Sequence, residues 1–155
     1  GGSKAAAERA ARLGMMIFPQ TTDPMMAVFY DEEAERVGNP TGLTMGPSQG
    51  APTTVFLAES LDQGWEQFGP YMLHDAVSYR GWMGKDNNSA SLSQASSVAE
   101  LREENGPYRI VTPKQAVELI KTYQTLSLQP LCGGVPPDLA WSSLSLIEKQ
   151  VLPFC

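Results

Sequence analysis

The chain has 155 residues, enough for one domain and too few for two well-cored ones. Apolar residues make up 42% and charged residues 18%, a balance that supports a buried core and excludes wholesale disorder. Acidic residues outnumber basic ones by 17 to 11, and the net charge of -6 argues against nonspecific binding to nucleic acid or to an anionic membrane.

Residues 3–13 (SKAAAERAARL) read as a helix capped by the Ser3 hydroxyl and closed by Gly14. Met15-Met16-Ile17-Phe18, stopped by Pro19, reads as a buried strand. Thr22-Asp23-Pro24 starts a second helix that ends at Gly38-Asn39-Pro40. Residues 38–52 are rich in glycine and proline and read as a loop. Thr53–Ala58 is the best strand signal, being β-branched and aromatic. A long helix follows from Leu61 to about Trp82, expected to break or bend at Gly69-Pro70. Residues 83–97 are polar and of low complexity, and are expected to form a mobile insertion. A short helix over Val98–Glu104, an extended Tyr108–Val111 and a helix from Thr112-Pro113 to about Thr122 come next. Leu126–Leu131 is a third strand candidate, Cys132-Gly133-Gly134 a turn, and Pro136-Pro137-Asp138 opens a last helix to about Val151. Strands alternate with helices, the pattern of a parallel α/β sheet. Three strands are few for such a sheet, and the chain opens at Gly1-Gly2-Ser3 without a methionine, so a single partial domain over 1–155, a piece of something longer, is expected.

The chemistry is bounded first by what is missing. No apolar run has the roughly 18–20 residues of a membrane span, and no signal segment opens the chain. Cys132 and Cys155 do not make a disulfide framework, so a reducing, cytoplasmic setting is the simpler reading. No metal-ligand spacing, nucleophile elbow, P-loop or dinucleotide fingerprint is present. Gly1-Gly2-Ser3 before a helix can hold an anion such as a phosphate on free N–H groups; on spacing alone a flexible linker is the commoner reading. Cys132-Gly133-Gly134 is equally a ligand turn or a tight connection, and Cys132 reads as a small buried residue more readily than as a nucleophile. His74, the single histidine, shares a helix side with Tyr71 and Ser78; it could shuttle a proton or touch a ligand, though a surface histidine is the commoner reading. Asp31–Glu35 reads as a solvated helix face.

Taken in order, GGSKAAAERAARLG, MMIFP, TTVFLAE, GPYMLHDAVSY, YRIVTPKQAVELI and LQPLCGGVPPDLAWSSLSLIEKQVLP resemble the C-terminal part of luciferase-like flavin-dependent monooxygenases, which are (β/α)8 TIM barrels. Thr112, Pro113 and Val117 match the helix start before the last strand, and Val151-Leu152-Pro153 matches the end of the last unit. Gly14-Met15 stands where the family usually carries Asp-Gly. The resemblance implies about three βα units of the barrel, with Gly1, Gly2 and Ser3 near the flavin phosphate, and His74 and Tyr79 as candidates to line the substrate side; His74 is also the one candidate for a catalytic role, and no metal is implied. It further implies reduced FMN, or a deazaflavin in some relatives, oxygenation of a small organic substrate with O2, and a partner flavin reductase. Alone, without the N-terminal remainder of the barrel, the chain is expected to show little or no catalysis. From the residues without the resemblance, the alternative is a noncatalytic α/β module that binds an anion or a partner and pairs its open edges by homo-oligomerising, with no nucleic acid and no membrane as partners.

Overall fold

The computed structural model describes residues 1–83 and 88–155. They fall into two compact units, one holding Gly1–Gln49 and a short segment ending at Ala90, the other holding the chain from Gly50 and Ser91–Cys155.

In the first unit, α1 (Lys4–Arg12) starts on Ser3, whose extended backbone lets its Oγ accept the Ala6 N–H at 3.4 Å. The helix α2 (Met25–Val37) starts where Asp23 Oδ1 accepts the Met25 N–H at 2.9 Å, and it ends at Gly38 with φ +76°. Met26, Tyr30 and Ala34, four residues apart, form its buried stripe and pack with Ala7 and Ala11 of α1. Glu33 ties the helices together. It accepts from Arg36 Nε at 2.6 Å and from Arg12 Nη1 at 2.8 Å. These bonds, the Arg36 one foremost, hold the Glu33 carboxyl down to about 2. The strand expected at Met15–Phe18 does not form. Ile17 alone makes a parallel bridge, with Thr44, while Met15, Met16 and Phe18 stay more than half exposed.

The second unit is a small parallel sheet between helices. β1 (Thr54–Leu57) pairs with β2 (Tyr108–Val111) in register Thr54 to Tyr108 and Leu57 to Val111. One sheet face sends Phe56, Tyr108 and Ile110 against Trp65, Phe68, Met72 and Ala76 of α3 (Leu61–Met83), with Phe56 stacked on Phe68 at 4.5 Å. The other sends Val55, Leu57 and Val111 against α5 (Pro113–Tyr123) and α6 (Pro137–Gln150), where Ala116 and Ile147 are buried. The short helix α4 (Val98–Glu104) precedes β2. Thr112 and Gln115 close a reciprocal capping box at the start of α5. α3 is one continuous helix despite Pro70, so the expected break is absent.

Two further expectations change. Leu126–Leu131 makes only one parallel bridge, Leu128 with Val55, on the edge of β1 opposite β2. The order across the sheet is therefore β2, β1, Leu128, whereas consecutive barrel units would follow chain order. Beyond Leu128 no strand among the described residues covers β1, and the buried Ser143 hydroxyl of α6 accepts the Leu57 N–H at 2.8 Å instead. Of residues 83–97, expected as a mobile insertion, 84–87 lie outside the described residues. Ser93 and Ala95 are buried, Arg80 Nη1 donates to both their carbonyls at 3.3 and 3.0 Å, and the Ser93 hydroxyl donates to Glu104.

Candidate functional site

Gly1, Gly2 and Ser3 lead into α1 in the first unit, as the sequence implies. The first-turn N–H groups of Lys4 and Ala5 have no intrahelical acceptor, and the helix dipole adds a partial positive charge there. Gly1 is exposed, and a Cβ on it would stand 3.1 Å from Ala6 Cβ, tighter than an ordinary contact. A Cβ on Gly2 would meet Thr21 Cγ2 at 3.4 Å. The backbone is thus bare and close to the helix start, a donor set that fits an anion. Lys4 Nζ is partly engaged, 3.7 Å from Glu8 and over the Phe29 ring at 4.9 Å.

His74 and Tyr79 lie on α3 in the second unit. α3 runs against the strand direction. A Cβ on Gly64, near its start, would meet Ala58 and Ile110 at 2.7 Å, whereas Asp75 Oδ2 accepts the Tyr108 hydroxyl at 2.8 Å from the first residue of β2. His74 and Tyr79 therefore sit toward the amino-terminal end of the sheet, away from the strand carboxyl ends where parallel α/β folds carry ligands. His74 is exposed and Tyr79 half-buried.

The Cys132-Gly133-Gly134 turn lies on the same stretch of α3. A Cβ on Gly133 would stand 1.9 Å from the Tyr71 carbonyl oxygen, so this glycine exists for the close approach of two backbones. Cys132 is buried against Asp75, and burial, followed by the Asp75 charge, pushes its thiol up to about 12. Burial, followed by the hydrogen bond to Asp75, raises Tyr108 far above the ordinary phenol range. A protonated, buried thiol is no nucleophile.

The carboxyl end of β1 holds what sequence reasoning missed. A cleft of about 240 Å³ opens there, floored by Leu57, Ala58 and Phe68 and rimmed by Glu59, Ser60, Gln63 and Gln67. Gln63 and Gln67 are one helical turn apart and share a face. Glu59-Ser60 reads in the sequence only as a lead into α3; its place directly after the strongest strand is the signal that marks it. Among the described residues no group of three His, Cys, Asp or Glu is placed to hold a metal, and no helix is long and apolar enough to cross a membrane.

No protein-family model and no curated protein matches the chain. Among solved structures it is similar to the crystal structure of the monooxygenase RslO1 from Streptomyces bottropensis, with a TM-score of 0.54 and 21% identity. The match covers 97% of this chain and 45% of that one, so the chain spans less than half the length of its neighbour. The two share a mixed α/β fold over that stretch.

Proposed function

We propose that the chain is the C-terminal part of a luciferase-like flavin-dependent monooxygenase barrel, an oxidoreductase that oxygenates a small organic substrate with reduced flavin and O2; the order β2, β1, Leu128 is a departure from the consecutive units of such a barrel. The observation that carries this reading is the likeness to a monooxygenase over 97% of the chain. The order of motifs from GGSKAAAERAARLG to VLP supports it independently. Bound reduced FMN would supply the electrons that activate oxygen. The residues that fit its phosphate are Gly1, Gly2 and Ser3, through the free first-turn amides of α1. The protein's part here is to hold the anion and fix the cofactor's position. His74 and Tyr79 take no part in this proposal, because they lie toward the amino-terminal end of the sheet. The cleft beside Glu59 and Ser60, apolar at its floor and polar at its rim, is the better candidate for substrate contact within the second unit.

The test is an amide NMR titration of the chain with FMN and with riboflavin, which lacks the phosphate. FMN is expected to shift the amides of Ser3, Lys4 and Ala5, and riboflavin to leave them in place. Equal shifts with both, or none with either, would remove the phosphate assignment. A deazaflavin cofactor carrying a phosphate, tested alongside, separates the two cofactor classes by relative affinity.

A further inference from the structure

α5 and α6 cover the Val55, Leu57 and Val111 face of the sheet. Between α5 and the end of α6 the surface opens into a groove of about 640 Å³. Val117 and Phe154 make its apolar part, and Lys114, Glu118, Lys121 and Lys149 its charged part. Both walls belong to the second unit. Helices form the outer ring of a (β/α)8 barrel, so under the flavin reading this groove faces outward in the complete molecule as well.

Three of the chain's five lysines meet here, in a molecule whose net charge is -6. Lys121 pairs with Glu118 at 2.9 Å, an exposed pair that contributes little and exchanges easily. Lys114 and Lys149 are exposed and form no ion pair among the described residues. The groove is left net positive on an acidic chain. Its spacing says what kind of anion would fit. Lys114 and Lys121 lie two turns apart on α5, about 10 Å at a helical rise, with Val117 between them. A single phosphate cannot bridge that span, and it has nothing apolar to set against Val117 and Phe154. The acidic balance of the whole chain opposes a nucleic acid or an anionic bilayer. A helix has the same rise as α5. Carboxylates two turns apart on one side of it, with an aliphatic residue between, repeat the order of Lys114, Val117 and Lys121.

We propose that the groove between α5 and α6 docks an acidic amphipathic helix of a partner polypeptide. The carboxylates meet Lys114, Lys121 and Lys149, and the aliphatic side chain packs on Val117 and Phe154. The proposal is independent of the flavin reading.

The test uses the full chain and three fluorescein-labelled helical peptides. The first carries glutamates two turns apart with leucine between them, the second has lysine in place of glutamate, and the third has serine in place of leucine. Fluorescence anisotropy is expected to show binding of the first, weakened by salt, and much weaker binding of the other two. Lys114→Glu with Lys149→Glu, both at exposed positions, is expected to weaken the first peptide by roughly tenfold and to strengthen the lysine peptide. Phe154→Ala is expected to weaken the first peptide severalfold and to leave the serine peptide unchanged. Equal affinity for the glutamate and lysine peptides would overturn the proposal. So would an unchanged affinity in the double variant when its circular dichroism is also unchanged. Equal binding of the leucine and serine peptides would overturn it too, because the groove would then be a plain anion surface. Self-association of the chain that the double variant abolishes would make a second copy the occupant, and would equally overturn it.

Discussion

At the scale of single residues, Gly133 shows how a turn can look like a ligand site and serve packing instead. It has φ +60°, and its missing Cβ makes room for the Tyr71 carbonyl. Gly134 has φ +86° but nothing within 4 Å of a Cβ. Gly133→Ala is therefore expected to cost about 3 kcal/mol or more, combining backbone strain with a main-chain clash. Gly134→Ala carries the strain alone, about 1 kcal/mol. Urea denaturation of the two variants checks this, and equal losses would show that the close approach is not what fixes Gly133. The two cysteines make a second contrast. Cys132 is buried beside Asp75 and Cys155 is exposed. A thiol reagent at pH 8 should modify Cys155 quickly and reach Cys132 only on unfolding; fast modification of both would contradict the burial of Cys132. The partner that explains each of these residues, Tyr71 or Asp75, lies far away in sequence. That is why Cys132-Gly133-Gly134 could be read in the sequence only as a turn with two possible uses.

At the scale of elements, the helices were legible and the minor strands were not. Ser3, Asp23 and Thr112 announce helix starts through short-range hydrogen bonds that sequence spacing encodes. A strand needs a partner that its own sequence does not name. Met15–Phe18 and Leu126–Leu131 are apolar enough for a sheet, yet each contributes a single bridge. Thr54–Leu57 succeeds because it is buried on both faces and paired along its length. The pairing of α1 with α2 gives the pH prediction for this scale. The Glu33 carboxyl is held near 2, below its ordinary value of 4.5, by Arg36 and Arg12. A lowered carboxyl stabilises the folded state fully above the ordinary value, and that contribution fades as pH falls from about 4.5 toward 2. The protection factors of the α1 and α2 amides, taken against intrinsic exchange at each pH, should fall over that window. Glu33→Gln should exchange faster at neutral pH and respond less to acid. An identical acid response in the two proteins would contradict the role given to Glu33.

At the scale of the whole molecule, the α/β class and the order of helices follow from the sequence, whereas the order of strands does not. Chain order suggested three successive units, and the sheet places β1 between β2 and Leu128. The candidate site was legible in the same uneven way. Gly1, Gly2 and Ser3 lead directly into a capped helix, as the sequence implies, and their use as a phosphate turn is the proposal. His74 was singled out for its chemistry, but α3 carries it away from the strand carboxyl ends, and the cleft beside Glu59 and Ser60 was visible only once β1 was placed.

The central claim, that this chain contributes the phosphate-holding turn of a flavin-dependent monooxygenase, is tested most directly by anaerobic titration of the chain with reduced FMN and with reduced riboflavin. The account predicts saturable binding of reduced FMN at least about tenfold tighter than riboflavin, the difference that charged hydrogen bonds to the phosphate supply. No saturable binding of reduced FMN, or equal affinity for the two, would contradict it.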